Sequence, residues 1–231
     1  MHWFYEPALT PEQVEFSATE AGHAKALRLR VGEQIALTDG SGMVAFAEVV
    51  GESPIQFQIH HTAADSVPSP RFHLVQALAK NDRDEMALQS SVELGASSVT
   101  PWQSARSIVR WDQKAERNRE RWQAIAIEAM KQSQQSHLCK VEGLASTKQL
   151  KPIGIGLVLD PRSHLTLDQL PAAEDYTLVV GPEGGITEEE LTVLESAGFQ
   201  RVRLGSSVLR ASTAGPAAIA ALSALHGSFR I

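Results

Sequence analysis

The sequence predicts a two-part chain, a small β-barrel or sandwich over residues 1–66 followed by an α/β domain with a parallel sheet over residues 71–231. Three observations carry this. Ser66-Val67-Pro68-Ser69-Pro70 sets two prolines in three residues, which disfavours helix and holds an extended connector. Before it, short apolar runs repeat with the period of strands. After it, strand-like runs alternate with helix-length segments, as in a parallel sheet covered on both faces.

In the first part, Gln34–Thr38 and Val44–Val49 flank Asp39-Gly40-Ser41-Gly42, a turn rich in residues that tolerate positive φ. Ile55–Ile59 alternates strictly, as a half-buried strand does. A helical stretch is expected around Thr19–Leu27. In the second part, His73–Ala79 reads as a buried strand. Asp82–Gly95 reads as a helix with Asp82 as N-cap and Glu85 three residues on. Ser98–Trp102 is a short strand. Lys114–Gln134 is a long helix whose Trp122, Ile125, Ala126 and Ala129 recur at helical spacing. Ile155–Leu159 and Tyr176–Val180 are further strands. Thr187-Glu188-Glu189-Glu190 is a capping box whose helix stops at Gly198. Arg201–Leu204 is expected as the last strand and Pro216–His226 as the last helix.

Composition narrows the function classes. The 231 residues include one cysteine, Cys139, which excludes an internal disulfide framework and a zinc site built on cysteine pairs. The N-terminus lacks the basic and apolar regions of a signal peptide, and the longest apolar runs fall short of the ~20 residues that cross a bilayer. A cytoplasmic location with no membrane partner is expected. No HExxH or HxxxH spacing occurs, so no metal site is expected, and His60-His61 reads as a strand end. The net charge of −6 hides an asymmetry: residues 71–151 carry 13 Lys/Arg against 9 Asp/Glu, whereas both flanking parts are acidic. A basic middle in an acidic chain is either a solvated helix face or a footprint for nucleic acid.

Ligands of open α/β sheets sit beyond the carboxyl ends of the strands, and two loops there stand out. Gly181-Pro182-Glu183-Gly184-Gly185 follows a strand directly and can bring its main chain close to a ligand. Leu204-Gly205-Ser206-Ser207-Val208-Leu209-Arg210 runs into Ala211-Ser212-Thr213-Ala214-Gly215. Neither GxxxxGK[ST] nor GxGxxG is present, and the glutamates after the first loop would repel phosphate. A ligand uncharged or cationic at that point is expected. GxSxG is also absent, so a hydrolase has no nucleophile elbow.

GPEGGITEEE followed by LGSSVLRASTAG resembles the ribosomal RNA small subunit methyltransferase E family of the SPOUT superfamily. The segments GHAKALRLRVGEQIALTDGSG, ALAKNDRDEMALQSSVELGASSVTPWQSARSIV and RWQAIAIEAMKQS extend the resemblance through the chain. It implies an RNA-binding PUA-like barrel, then a SPOUT domain whose C-terminal trefoil knot holds S-adenosylmethionine. It also implies a homodimer that methylates N3 of a uridine in small-subunit ribosomal RNA, either naked or assembled in the 30S subunit.

Carried onto this sequence, the resemblance assigns cofactor contacts to Leu159, to Gly181, Pro182, Glu183, Gly184, Gly185 and Ile186, and to Leu204, Gly205, Val208, Leu209, Arg210, Ala211 and Thr213. Uracil N3–H is a weak acid, so its proton must leave as the methyl arrives. Arg210 can favour the anion by its fixed charge or serve as a phosphate or carboxylate clamp. Glu93 joins it in the catalytic set as a proton acceptor, with Glu128 as another acceptor and pairing with Lys80 or Arg106 as the structural alternative for both. RNA contacts are assigned to Lys25, Arg28 and Arg30, the only cations of the first part, and to Lys80, Arg106 and Arg110. The basic residues between Lys114 and Arg121 can instead pair with Glu116 and Glu120 on a helix surface. Family members commonly carry Arg at the place of Ser207 and Glu or Ser at that of Ser212, and Ser104-Ala105-Arg106 lacks an acid found there in relatives. These departures leave a second reading open, a catalytically silent RNA-binding protein of the same fold.

Overall fold

The structure is a computed structural model and describes residues 1–227. The chain divides into two compact units, one of Met1–Val67 with Met130–Leu138, the other of Pro68–Ala129 with Cys139 onward.

In the first unit, strands β1 (His2–Tyr5), β2 (Gln34–Thr38), β3 (Met43–Glu52) and β4 (Ile55–Ala64) form one sheet in chain order. β1 lies parallel to β2, and the other two pairs are antiparallel. The sequence reading passes over β1 because His2–Tyr5 shows no alternation; pairing with β2 makes it a strand. Helix α1 (Ala18–Leu27) closes the apolar face, its Ser17 side chain accepting from the Glu20 N–H. Phe16 sits between Phe4 and Phe57, with ring centroids 4.5 and 4.8 Å away. The turn at Asp39 is built as its residues suggest: the Asp39 carboxylate accepts from the Ser41 and Met43 N–H groups, and Gly40 and Gly42 take positive φ. The segment Met130–Leu138 completes the unit. Leu138 N–H donates to the Gly40 carbonyl, and Lys131 Nζ meets Glu20 Oε1 at 3.0 Å with both side chains buried. No local signal links residue 131 to residue 20.

In the second unit, β5 (Arg71–Ala77), α2 (Arg83–Glu93), β6 (Ala96–Trp102), α3 (Ala115–Gln132) and β7 (Lys140–Val141) step outward from the sheet centre. The last turn of α3 runs on into the first unit. Then β8 (Ile155–Leu159), β9 (Asp175–Val180), α4 (Glu188–Ser196), β10 (Phe199–Val202) and α5 (Ala211–His226) build the other side. The sheet is parallel throughout, in the order β10-β8-β9-β5-β6-β7. Helices α2 and α5 pack together over β5, β6 and β9, while α4 lies by β10 on the face holding Val75, Val158, Val179 and Phe199.

Several boundaries differ from expectation: β4 runs on to Ala64 and β5 spans Arg71–Ala77 in place of 73–79. Helix α5 starts at Ala211, because Pro216, read as a helix start, stands inside the helix instead. Gly215 beside it lets α5 close on β5, since a Cβ there would lie 2.9 Å from Leu74 Cδ1. β10 begins two residues early, where pairing with Gly156 of β8 begins. The helix over Lys114–Gln134 divides into a 3-10 turn at Asp112–Lys114 and α3. Asp82 adopts the left-handed conformation and makes no side-chain cap. Asp84, inside the first turn, turns its carboxylate to the Ala79 N–H ahead of the helix at 3.0 Å, and burial pushes its pKa up.

Candidate functional site

The carboxyl ends of β8 and β9 open into a cavity of about 450 Å³ within the second unit. Its walls are supplied by three stretches of chain, Leu159–Arg162 after β8, Val180–Ile186 after β9, and Val208–Ala214 at the entry to α5, with Arg83 and Arg106 at its border. A smaller hollow of about 60 Å³ shares Leu159 and Leu209 with it and is lined further by Arg203, Leu204, Gly205 and Ser207.

Local sequence explains the loop after β9. Gly185 N–H bonds the Pro182 carbonyl at 2.8 Å, closing a tight turn in which Gly185 holds φ +74°. Gly181 leaves no room for a side chain, because a Cβ would lie 2.6 Å from Ile186 Cγ1. Two arginines pin the turn from outside. Arg83 Nη1 lies 3.1 Å from Glu183 Oε1, and Arg106 Nη1 donates to the Gly184 carbonyl at 2.9 Å. Thr187 and Glu190 then cap α4 reciprocally, as their spacing predicts.

On the opposite wall, Asp160 is 4% exposed and its carboxylate accepts from the backbone N–H, Nε and Nη2 of Arg162. Burial raises its pKa, but these hydrogen bonds outweigh it and hold the carboxyl below its usual value. Arg162 also reaches Glu188. Arg210, at the start of α5, is exposed at the cavity edge, and among the described residues its side chain has no protein partner. Val208 beside it is 79% exposed.

The structure brings together most of the sequence-predicted contacts. Leu159, Gly181, Pro182, Glu183, Gly185, Ile186, Val208, Leu209, Arg210 and Ala211 line the cavity, and Leu204 and Gly205 line the smaller hollow. Gly184 backs onto Arg106, and Thr213 starts the helix by donating its N–H to the Arg210 carbonyl; neither lines the cavity. Arg106, expected on RNA, is at the site. Lys80 and Arg110 are exposed outside it, Arg110 donating to the Ala105 carbonyl at 3.4 Å. Lys25, Arg28 and Arg30 are exposed in the first unit, and among the described residues none pairs with a carboxylate. Arg119 pairs with Glu116 on its own helix as expected, whereas Arg121 reaches across to Glu85 of α2.

Glu93 is not brought to the cavity. Helix α2 begins there with Arg83 and carries Glu93 ten residues away, about 15 Å along its axis. Glu93 is exposed and accepts from Gln89 Nε2 at 3.0 Å. The expectation of an uncharged or cationic ligand, drawn from the glutamates alone, meets a more basic site. Four arginines (83, 106, 162 and 210) border the cavity against two acids, Asp160 and Glu183, and each acid is already paired. Sequence reading missed Arg83, Asp160, Pro161 and Arg162. Asp160, Pro161 and Arg162 follow the carboxyl end of β8, where ligands of open α/β sheets sit. Arg83 carried no local signal, because its partner Glu183 is one hundred residues away.

Apolar side chains on the walls and exposed main chain in the loops suit a flat organic group with polar edges. Comparison with known proteins agrees. A family model described as an RNA methyltransferase domain matches residues 67–223, and one described as an RNA methyltransferase PUA domain matches residues 16–60. The chain is 35% identical over 220 residues to the ribosomal RNA small subunit methyltransferase E of Mycobacterium bovis, covering 89% of this chain and 84% of that one. It is 30% identical to the Bacillus subtilis protein of the same name, covering 93% of each. The crystal structure of the Neisseria gonorrhoeae methyltransferase E bound to S-adenosylmethionine superposes with a TM-score of 0.90 at 32% identity over 100% of both chains. A Legionella pneumophila methyltransferase in complex with the same cofactor gives 0.86 at 28% identity over 97% of each.

Proposed function

The chain belongs to the ribosomal RNA small subunit methyltransferase E family, and from that membership we propose that it methylates N3 of a uridine in small-subunit ribosomal RNA, with S-adenosylmethionine as donor. The observation that carries the reading is the cavity beyond β8 and β9, walled by a glycine turn on one side and edged by an unpartnered arginine on the other. The residues present fit the cofactor. The volume of about 450 Å³ lies within the range for nucleoside-sized ligands. Leu159, Ile186 and Leu209 offer apolar surface to an adenine, and the main chain of Gly181–Ile186 offers donors and acceptors to polar edges. Bound there, the cofactor supplies a methyl group activated by its sulfonium.

The protein's part is positioning and charge. Displacement at a methyl carbon is in-line, so holding the two reactants along one axis supplies much of the acceleration. Arg210 stands at the open edge, where a uridine entering from solvent would meet its guanidinium, and its charge favours the N3 anion. With Glu93 placed elsewhere, Arg210 carries the catalytic assignment in this reading.

We further read the site as lying in a trefoil knot and the active species as a homodimer in the cytoplasm. The knot is supported by the path of the chain, which leaves β10 at the sheet edge and enters α5 against β9 and β5 in the middle. The dimer is supported by the outward side of α5, where Ala217, Ala220, Ala221 and Leu225 stay partly or fully exposed. Among the described residues no helix is long and apolar enough to cross a membrane.

The direct test incubates the protein and labelled cofactor with small-subunit RNA and with 30S subunits, both from a strain lacking this modification, and then maps the product. Label at a uridine N3, a sedimenting dimer as the active species, and a melting temperature raised by S-adenosylhomocysteine are the expected results. RNA binding with no transfer and no thermal shift would leave a silent RNA-binding protein.

In the first unit, Lys25, Arg28 and Arg30 are read as phosphate contacts. Replacing all three with Gln is expected to weaken RNA binding and flatten its log–log salt dependence by roughly two to three units. Cofactor affinity should hold. A loss of thermal stability with an unchanged salt slope would give these cations a structural role instead.

A further inference from the structure

Glu190 is explained by its sequence as the fourth member of a capping box, but its carboxylate does more than cap. The residue is only 7% exposed. Oε2 takes the Thr187 N–H at 3.2 Å, which completes the box. Oε1 accepts from the Ala105 N–H at 2.8 Å and from Thr147 Oγ1 at 2.9 Å, groups 85 and 43 residues away. One carboxylate thus joins the start of α4 to the loops after β6 and β7.

The Ala105 contact leads to the cavity. The next residue is Arg106, whose Nη1 donates to the Gly184 carbonyl and whose Cβ would lie only 3.2 Å from a Cβ at position 184. The turn Pro182–Gly185 is therefore held between α4 at its downstream end and Arg106 across its back. Both constraints end on Glu190. We propose that Glu190 is a positioning residue for the cofactor loop: it fixes the 105–106 main chain, and Arg106 in turn fixes the Gly184 carbonyl. The proposal rests on the reading of this loop as the S-adenosylmethionine site.

Burial gives the arrangement its strength. Hydrogen bonds to a carboxylate are stronger than neutral ones, and a buried donor left without its acceptor is costly. Glu190→Gln keeps the shape but sets an amide NH₂ where one or two N–H groups need an acceptor. The 105–106 segment then keeps at most a neutral amide acceptor in place of a carboxylate, without a change in volume.

Calorimetry of S-adenosylmethionine binding to the full chain, arranged as a double-mutant cycle, tests this. Glu190→Gln and Arg106→Gln should each weaken binding by about tenfold, and the double variant should be no weaker than the weaker single, because both act on one carbonyl. Leu194→Ala, a core truncation on the same helix, should lower the melting temperature and leave the affinity of the folded protein unchanged. If wild type binds and the two substitutions multiply, or if Glu190→Gln merely melts earlier as Leu194→Ala does, the relay is overturned while the loop stays the cofactor site. If wild type binds no cofactor, the reading of the site falls and the relay with it.

Discussion

Gly185→Val is expected to weaken S-adenosylmethionine binding by at least about a hundredfold, equivalent to ~2.7 kcal/mol, while the protein stays folded. Two effects act together. Gly185 holds φ +74°, a conformation that costs an L-residue roughly 1–2 kcal/mol and a β-branched one more. A Cβ at this position meets only Arg106 Nη1, at 3.8 Å, so the added side chain finds no core to fill. The turn is then expected to relax, giving up the bond from Gly185 N–H to the Pro182 carbonyl and moving the main chain that faces the ligand. The residue lies on the cavity wall, so the fold has little reason to fail. Calorimetry beside a thermal melt separates the two quantities. Unchanged affinity in a folded variant would take the Pro182–Gly185 turn out of the site.

Arg210→Ala should lower kcat for methyl transfer by about 10²–10³, the range for removing a preorganised charge that faces a developing anion. Cofactor affinity should change little, because among the described residues the Arg210 side chain has no protein partner whose loss would disturb the loop. The sign of the pH dependence follows from the chemistry. Without the guanidinium, ionisation of uracil N3–H must come from solvent, so the deficit should narrow as pH rises toward the pKa of that group. A phosphate clamp behaves otherwise: contacts made equally in ground and transition states raise KM, leave kcat in place and give no such pH trend. Single-turnover rates at saturating RNA, measured across alkaline pH, decide between the two roles.

How much was legible depended on how local the signal was. The strand–turn–strand of β2 and β3 and the capping box before α4 were readable because their causes lie within a few residues. Asp39 bonds its own turn, and Thr187 and Glu190 bond each other. The two loops of the cavity were readable because glycine and a strand end lie next to each other in the chain. Glu93 is kept from the cavity for a physical reason: a helix that begins there carries its eleventh residue about 15 Å away. Asp82 holds the N-cap position as read, but its left-handed backbone leaves it without the side-chain bond that a cap makes.

The sequence by itself determined the parallel α/β class and two of the three chain segments that wall the cavity, since periodicity, prolines and glycines act on their immediate neighbours, whereas it assigned Met130–Leu138, which belongs to the first unit, to the second part. Only the tertiary structure decided which distant groups meet. Arg83 on Glu183, Arg106 on Gly184, Glu190 under Ala105 and Lys131 against Glu20 each join residues 78 to 111 positions apart. Electrostatic sign was decided at the same level. Glu183 pairs with Arg83 of α2, Glu188 with Arg162, and the buried Glu190 takes donors from Ala105 and Thr147, partners that no local pattern of the sequence supplies.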